Sequence, residues 1–372
     1  MRPPMPPTVA STPLSRGGSQ PAGPTRRALL LLTMGGLAPP LAWALPPRVL
    51  RFPRDFGSHP EFRTEWWYIT GHARSGTREF GFQLTFFRSR VESTQSLHSA
   101  FAARQLLFAH AAVTDLEGRR LLHDQRIARE GFGIASASEA DTDVHLRDWS
   151  LVRSAQGYAA RLPAADFELD LRFEATQPVF LQGEAGLSRK GPSQTQASYY
   201  YSEPQLATSG GLRIAGHRFD VRGTAWLDHE WSDAYLDPGA AGWDWIGMNL
   251  FDGSALMAFR IRRPDGTALW AGGSLRSADG RVRVFGHDEL RFEAEGSWTS
   301  PRTRAVYPVR WRIHTPAGVF QLRALLDDQE LDSRASTGTV YWEGVSELLD
   351  ASGRAVGRGY LELTGYVKAL KL

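Results

Sequence analysis

A short run flanked by two tryptophans, WLDHEWS at residues 226–232, places an aspartate, a histidine and a glutamate side by side. Such side chains can hold a metal ion or move protons in acid/base catalysis. If the run is a β-strand, however, successive side chains point to opposite faces of the sheet. Asp228 and Glu230 then face one way, whereas His229 and Trp231 face the other. A metal site made from the three neighbours alone is therefore disfavoured.

His229 is the candidate proton-transfer residue of this run. Leu227 shares its face, which favours an apolar, inward-facing surface on which His229 and Trp231 border one aromatic-walled cavity. Glu230 or Asp228 would orient the histidine or a neighbouring arginine. Burial would shift the pKa of His229, and a nearby acid could restore it. The alternative is a histidine of the hydrophobic core whose ring is satisfied by a hydrogen bond.

Aromatic side chains accompany the other chemistry-bearing residues. In TEWWYITGHA, residues 64–73, Trp66 and Tyr68 share one face, and both faces carry large aromatics. Such a strand is either a packed barrel wall or the lining of a ligand pocket. Further candidate lining residues occur in four other aromatic stretches: His110, Tyr200, Asp244, Trp245, Trp342 and Glu343. An acid among Trp and Tyr side chains is either paired or raised in pKa, and an aromatic cavity suits a flat, apolar or polyene-like ligand.

Short alternating strands separated by turns must position these residues. Residues 79–86, 166–173, 281–285 and 310–313 alternate with period two, and Asp-Gly, Glu-Gly or Ser-Gly pairs stand between such segments. The pattern predicts an all-β fold of antiparallel barrels or sandwiches. Residues 95–107 are the one candidate short helix, or a long loop. The interruption DAYLDPGAAG at 233–242 predicts domains at 45–235 and 236–372, each large enough for a barrel of about eight strands.

The first 44 residues predict an export signal. Arg26 and Arg27 precede a short apolar run and the small-residue end Ala42-Trp43-Ala44, and the arginine pair is typical of a twin-arginine signal. We therefore expect a periplasmic or secreted protein that is cleaved near Ala44. The alternative is an ordinary secretory signal with a chance arginine pair. No later stretch is long and apolar enough to span a bilayer.

Composition excludes several classes of function. Residues 1–44 hold four arginines and no acid, so the remainder has 39 basic and 40 acidic residues, a balance that does not indicate nucleic acid as a partner. The absence of cysteine excludes disulfides, thiolate nucleophiles and cysteine–zinc sites. The nucleophile elbow, the HExxH helix, the Walker loop and the dinucleotide-binding glycine motif are all missing, so no cofactor is expected.

Eight stretches in order resemble one known family. They are TEWWYITGHA, FGFQLTFFR, FAHAAVTD, YYYSEPQL, AWLDHEWS, GWDWIGMNL, YWEGVSE and GRGYLELTGY, and together they span roughly residues 50–372. The sequence is similar to the AttH-like predicted secreted hydrolases, which are related to the carotenoid 1,2-hydratases. The resemblance implies two lipocalin-like antiparallel β-barrel domains packed together.

The resemblance also implies a chemistry. The carotenoid hydratases add water to a terminal double bond, with a His-x-Trp pair and a Tyr-x-Asp pair on the following strand. His229-Glu230-Trp231 fits the first pair, but residues 254–260 contain neither Tyr nor Asp. The implied function is acid/base chemistry on an apolar or lipid-like small molecule. The alternative is a periplasmic binding protein for such a ligand, because the family is implied to be encoded beside ABC-transporter components.

Overall fold

Alternating apolar and polar residues produce an architecture made almost entirely of β-strands. The computed structural model describes residues 45–370, in which there are twenty-three strands and only three short 3₁₀ helices, Arg54–Phe56, Glu92–Thr94 and His287–Glu289. The all-β prediction is confirmed. The predicted export signal and its cleavage position near Ala44 lie outside the described residues.

The strands form two antiparallel sheets that follow one another along the chain. The first, called here the N-terminal sheet, contains thirteen strands: β1 (Thr64–Ser75), β2 (Arg78–Arg90), β3 (Gln105–Asp115), β4 (Arg120–Arg129), β5 (Ala135–Ala137), β6 (Asp143–Leu146), β7 (Trp149–Ser154), β8 (Gly157–Pro163), β9 (Phe167–Glu174), β10 (Phe180–Leu181), β11 (Leu187–Arg189), β12 (Ala197–Ile214) and β13 (His217–Ala234). The second, the C-terminal sheet, contains ten: β14 (Gly242–Leu250), β15 (Ala255–Arg262), β16 (Ala268–Arg276), β17 (Val282–Phe285), β18 (Arg291–Thr299), β19 (Val306–Thr315), β20 (Gly318–Ala324), β21 (Glu330–Ser333), β22 (Thr339–Leu349) and β23 (Ala355–Leu363).

Strand order explains how the N-terminal sheet encloses a core. Its order is β4-β3-β2-β1-β13-β12-β9-β8-β7-β6-β5, and β6 at one end approaches β3 and β4 at the other, so the sheet curls into a nearly closed barrel. The inward positions of its strands are large and apolar, and include Trp67, Phe82, Trp149 and Leu227. Burial of such side chains stabilises the barrel by roughly 1.5–3 kcal/mol each.

A second apolar layer lies between the two sheets. The C-terminal sheet has the order β17-β16-β15-β14-β23-β22-β20-β19-β18 and a core of its own around Trp311 and Trp342. Side chains from the outward faces of both sheets form the layer between them, among them Tyr200, Trp226 and Trp245. Strands β1, β2, β12 and β13 contribute from the first sheet, and β14, β22 and β23 from the second. This layer is where the strand faces carrying the candidate residues meet.

The segments between strands test two further expectations. Residues 95–104 form a loop, with only the 3₁₀ turn at Glu92–Thr94 before them, so the helix alternative for this region is wrong. The chain passes from one sheet to the other between Ala234 and Gly242, but the described residues belong to one compact unit, so the domain bounds 45–235 and 236–372 stay a prediction. Within residues 45–370 no helix has the length and apolar character needed to cross a membrane.

Candidate functional site

A cavity lies between the two sheets, on the face of β13 that carries Asp228 and Glu230. Its inner part, the inner cavity, has a volume of about 80 Å³. It opens into a vestibule of about 610 Å³ with which it shares five lining residues. The inner cavity is lined by aromatic, acidic and hydroxyl side chains of both sheets: Thr64, Trp66, Tyr68, Thr85, Phe87, Tyr200, Asp228, Glu230, Tyr235, Trp243, Trp245, Glu343 and Glu362.

Strand pairing between β1 and β13 builds the wall from the N-terminal sheet. In the antiparallel register Trp66 lies opposite Glu230, and Tyr68 lies opposite Asp228. Side chains of paired residues point to the same face of a sheet, and those two positions apart along a strand do so as well. All four therefore border the cavity, as the sequence predicted for Trp66 and Tyr68. Each acid thus stands beside an aromatic side chain.

Asp228 is held as a carboxylate by three donors. Its oxygens accept hydrogen bonds from Trp226 Nε1 at 2.7 Å, Tyr200 Oη at 2.7 Å and Ser202 Oγ at 2.5 Å. Trp245 Nε1 in turn donates to Tyr200 Oη at 3.2 Å, which links this wall to the C-terminal sheet. Burial nevertheless raises the pKa of Asp228 to about 7, so this carboxyl can exchange a proton near neutral pH.

Glu230 has a different environment because a lysine lies against it. Lys190 Nζ is 2.8 Å from Glu230 Oε1, and both side chains are buried. Ser198 Oγ also donates to Glu230, and the ammonium lies 4.7 Å from the centre of the Tyr200 ring. Burial raises the pKa of Glu230, and Lys190 opposes that rise. Glu230 therefore serves mainly as the counter-ion of a buried lysine.

The C-terminal sheet contributes two carboxyl groups to the opposite wall. Glu343 on β22 and Glu362 on β23 are direct cross-strand neighbours. Like charges at such positions repel, and no ion pair to either side chain occurs among residues 45–370. Burial, together with the Glu362 charge, raises the pKa of Glu343 well above its usual range, and burial raises that of Glu362 to about 8. The pair therefore retains at least one proton at neutral pH.

Two buried polar atoms on the cavity surface have no hydrogen-bond partner within the described protein. They are Tyr68 Oη and Glu343 Oε2, and both side chains are at least nine-tenths buried. The charges of Glu343, Glu362 and Asp228 all act on the Tyr68 hydroxyl, whose pKa is raised well above its usual value mainly by burial. Unpaired buried polar atoms are costly, so they mark the position where a polar group of a ligand, or a water molecule, would be bound.

The other face of β13 lies in the core, which corrects the prediction for His229 and Trp231. Both side chains are fully buried inside the N-terminal barrel and do not border the cavity. His229 Nε2 is 2.9 Å from Glu65 Oε1, its Nδ1 is 3.0 Å from Tyr201 Oη, and its ring stacks on Trp67. Burial lowers the pKa of His229 to about 4, so the ring is neutral. The alternative of a satisfied core histidine describes it.

Glu65 is the centre of the polar network around His229. Its Oε1 also contacts His59 Nδ1 at 2.7 Å, and its Oε2 accepts from Arg88 Nε at 2.7 Å. His59, Glu65 and His229 together offer ligand atoms of the types that hold a metal ion. Each of these atoms is already hydrogen-bonded, however, and the charge of Glu65 is balanced by Arg88. A metal ion would have to replace both histidine–carboxylate hydrogen bonds.

Three other predicted site residues do not reach the inner cavity. Asp244 is an ion-pair partner of Arg260 at 2.6 Å and Arg262 at 3.0 Å on the far side of β14. Trp342 lies in the core of the C-terminal sheet. His110 borders only the vestibule. The expectation that these three residues line the inner cavity is therefore corrected. For Asp244 and Trp342 the reason is strand alternation, which places them on the faces opposite to those of Trp245 and Glu343.

His110 instead joins the two sheets. Its Nδ1 meets Tyr341 Oη, and its Nε2 lies 2.8 Å from Ser336 Oγ. Ser336 Oγ donates onward to Gln125 Oε1 at 2.6 Å, so its single proton is not directed at the histidine. Burial lowers the pKa of His110 to about 3. A nucleophilic serine gives its proton to a histidine that acts as the base. Here Ser336 donates to Gln125, so His110 is the donor in its contact with the serine and does not activate it as a nucleophile.

Six residues that line the inner cavity were missed in the sequence, namely Thr64, Thr85, Phe87, Tyr235, Trp243 and Glu362. Glu362 belongs to the alternating stretch YLEL, in which Leu361 and Leu363 face the core and Glu362 faces away. Alternation alone indicates that orientation. The pairing of Glu362 with Glu343 depends on the register of β22 with β23, which the sequence does not contain.

Known proteins share the sequence and the architecture of this chain. Residues 43–366 match the model of the AttH-like family. The chain belongs to the AttH-like family. A crystal structure of a protein assigned to AttH from Nitrosomonas europaea is 51% identical, with a TM-score of 0.81 over 87% of this chain and 99% of that one. The resemblance found in the sequence is thereby confirmed.

Two comparisons connect this AttH-like protein to proteins named kievitone hydratase. The structure of that enzyme from Nectria haematococca has a TM-score of 0.67 over 85% of this chain and 93% of that one, at 16% identity, which shows a shared fold. The predicted lipocalin-like fold class is confirmed. The kievitone hydratase of Fusarium solani subsp. phaseoli is 26% identical over 178 residues, 46% of this chain. The chain spans about half, 49%, of that relative's length.

Proposed function

We propose that this AttH-like protein is an enzyme that adds water to a carbon–carbon double bond of an apolar small molecule, or removes it, in the inner cavity. One observation carries the proposal. Asp228, a carboxylate with three donors, and the proton-retaining pair Glu343 and Glu362 border one aromatic-walled cavity from opposite sheets. Paired carboxyl groups whose environments differ are the usual arrangement of an acid and a base.

The proton balance of hydration fits these groups. The Glu343–Glu362 pair gives its proton to one alkene carbon, and a cation forms on the adjacent carbon. Trp66 and Trp245 line the cavity, and the face of an aromatic ring stabilises a nearby cation. A water oxygen then bonds to that carbon, and Asp228 takes the proton that the water loses. Asp228 then releases this proton to solvent and the Glu343–Glu362 pair takes one up, which restores the starting state. Tyr68 Oη remains available to donate a hydrogen bond to the oxygen that is gained or lost.

The family relatives support hydration as the reaction type. Two proteins named as hydratases share the fold or part of the sequence. The missing Tyr-x-Asp pair no longer removes the acid, because the carboxyl groups on β13, β22 and β23 supply one. His229 is not part of this chemistry in the proposal.

Mass spectrometry tests the reaction. The purified chain is incubated with a series of linear isoprenoids and prenylated phenols in heavy-oxygen water. Hydration predicts a product heavier than its substrate by one labelled water, and Glu343→Gln abolishes it. Unlabelled product, or product formed equally by Glu343→Gln, contradicts the proposal.

A second candidate function is a carrier that hands an apolar ligand to an ABC transporter. The vestibule favours it, because its volume of about 610 Å³ accommodates a ligand far larger than the inner cavity does. Mass spectrometry of apolar molecules that co-purify with the chain addresses it. Ligand retained by wild type and by Asp228→Asn alike, without turnover of any probe, favours the carrier over the enzyme.

Export is also part of the proposal, supported by the arginine pair and apolar run before Ala44. Expression of the full sequence in a bacterium with and without a working twin-arginine pathway tests it. Mature chain outside the cytoplasm only when that pathway works is the expected result. Export that persists without it indicates an ordinary secretory signal.

A further inference from the structure

The loop between β2 and β3 and the turn after β4 together expose a cluster of apolar side chains. This cluster, called here the aromatic tip, consists of Leu97, Phe101, Phe132 and Ile134. Phe101 is 74% exposed and Phe132, in the turn after β4, is 55% exposed. Their rings stack with centroids 5.5 Å apart, and Leu97 and Ile134 are also exposed. Isolated exposed apolar residues need no explanation, but a contiguous group of them indicates an interaction site.

Positive charge accompanies the aromatic tip. The Arg129 guanidinium lies 4.1 Å from the centre of the Phe132 ring and 5.5 Å from that of Phe101. Arg104 Nη2 donates to Leu97 O at 2.6 Å. No acid occurs between residues 93 and 105, and the turn after β4 contains one acid, Glu130, next to Arg129. Aromatic side chains combined with arginines match the interface of a bilayer that contains anionic lipid.

The base of the loop is the rim of the vestibule. Val91, Glu92 and Ser93 line the vestibule. Val91 N donates to Arg104 O at 2.9 Å, and Thr94 Oγ1 donates to Ala103 O at 2.8 Å. These bonds close the base of the loop, and residues 97–101 beyond it are all exposed.

We propose that the aromatic tip docks on the surface of an anionic lipid bilayer and so places the mouth of the vestibule against the lipid. Docking stands on the exposed rings and the arginines alone. The further step, that an apolar substrate passes from the bilayer into the vestibule, rests on the proposed function. An apolar molecule partitions into lipid, and transfer at the surface avoids its exposure to water.

Vesicle flotation with the purified chain tests docking. Vesicles of phosphatidylglycerol and phosphatidylcholine in equal parts are compared with pure phosphatidylcholine, at low and high salt. Wild type is expected to float with the anionic vesicles and to be released by salt, which screens surface charge. Phe101→Ser combined with Phe132→Ser is expected to lower the vesicle partition coefficient about tenfold or more.

Phe251→Ser is the matched control, because Phe251 is 61% exposed in the turn between β14 and β15 of the other sheet. It is expected to float like wild type. Equal flotation of wild type and the double variant overturns docking, as does an equal loss with Phe251→Ser. If wild type is a dimer that does not bind vesicles, and the double variant is a monomer, lipid docking is overturned in favour of contact with a second copy of the chain.

The two proposals can fail separately. Asp228→Asn is expected to float like wild type while it loses turnover. The double variant is expected to keep full turnover of a substrate presented in detergent micelles and to lose it only for substrate held in vesicles. Loss in micelles as well contradicts the role in delivery.

Discussion

The two faces of strand β13 carry similar residue types in opposite situations. On the inner face, His229 is enclosed by Trp67 and Trp231, and both its ring nitrogens have partners. On the outer face, Asp228 and Glu230 border a cavity whose wall includes unpartnered polar atoms. The ionisable groups of the inner face are satisfied by the protein itself, whereas those of the outer face leave capacity for a ligand. Residue type alone therefore does not distinguish a structural site from a reactive one.

The largest expected effect concerns Asp228, the proposed base on the outer face. Asp228→Asn keeps the shape of the side chain but cannot accept the proton from water, so kcat is expected to fall about 10²–10⁴-fold. Steady-state turnover of a hydrated probe measures this. Glu203→Gln is the control, because Glu203 is also a buried acid of the N-terminal sheet, bonded by Tyr158, but lies away from the cavity. An equal loss in both variants would mean that the fold, not the chemistry, is affected.

Substitution on the inner face is expected to change stability instead. His229→Ala removes the hydrogen bonds to Glu65 and Tyr201 and leaves a cavity beside Trp67. The free energy of unfolding is expected to fall by about 3 kcal/mol, with kcat of the folded fraction unchanged. Denaturant unfolding combined with active-site titration by a tight ligand checks both parts. A folded His229→Ala protein without turnover would mean that His229 takes part in the reaction.

The pH dependence of turnover is expected to report the ionisation of the acids on the two opposite walls of the inner cavity separately. Turnover is expected to rise as Asp228 loses its proton near pH 7 and to fall as the Glu343–Glu362 pair ionises near pH 8, since the pKa of Glu362 is about 8. A narrow maximum between these values follows. A profile with a single limb controlled by a group near pH 4, the pKa of His229, would favour the inner face instead.

Stability should depend on pH through the same acids. The folded-state pKa of Glu362 is raised to about 8 from its ordinary 4.5. Its contribution is therefore fully present below about pH 4.5 and is lost as pH rises toward 8. Thermal unfolding of wild type is expected to show this decline, and Glu362→Gln, which is never charged, is expected to flatten it. The same decline in Glu362→Gln as in wild type would assign it to another group.

The smallest effect is expected at Tyr68. Tyr68→Phe removes a hydroxyl that has no partner among the described residues, so the free energy of unfolding should stay the same or increase by about 1 kcal/mol. Ligand affinity is expected to fall about tenfold, since the hydroxyl would bond the ligand oxygen. Isothermal titration with a hydrated product measures this. Tighter binding by the phenylalanine variant would mean that the ligand presents only carbon at this position.

Strand alternation predicted a large part of this arrangement. It separated Asp228 and Glu230 from His229 and Trp231, and it placed Trp66 and Tyr68 on one face, as the structure shows. Leu227 also indicated which face of β13 turns inward, but nothing indicated that the opposite face would border a cavity. That cavity depends on a second sheet packing against the outer face. Only long-range packing creates that environment.

The pairing register of neighbouring strands was the other property that the sequence did not supply. Glu343 was a candidate from its aromatic neighbours, but its raised pKa comes from burial and from Glu362, nineteen residues away on the adjacent strand. Asp244 met the same sequence criterion, and its two arginine partners lie on β15. An acid among aromatics is thus ambiguous until its cross-strand neighbours are known.

The proposed acid and base lie on different sheets, which has a consequence for how activity can change. The separation between Asp228 and Glu343 is set by contacts between the sheets, such as His110 with Tyr341 and the 2.9 Å bond from Thr114 Oγ1 to Gln329 Oε1. A substitution at either contact alters this spacing without touching the cavity. Natural variation could therefore adjust the rate of proton transfer through residues that never meet the substrate, while the four aromatic and acidic positions on β1 and β13 stay unchanged.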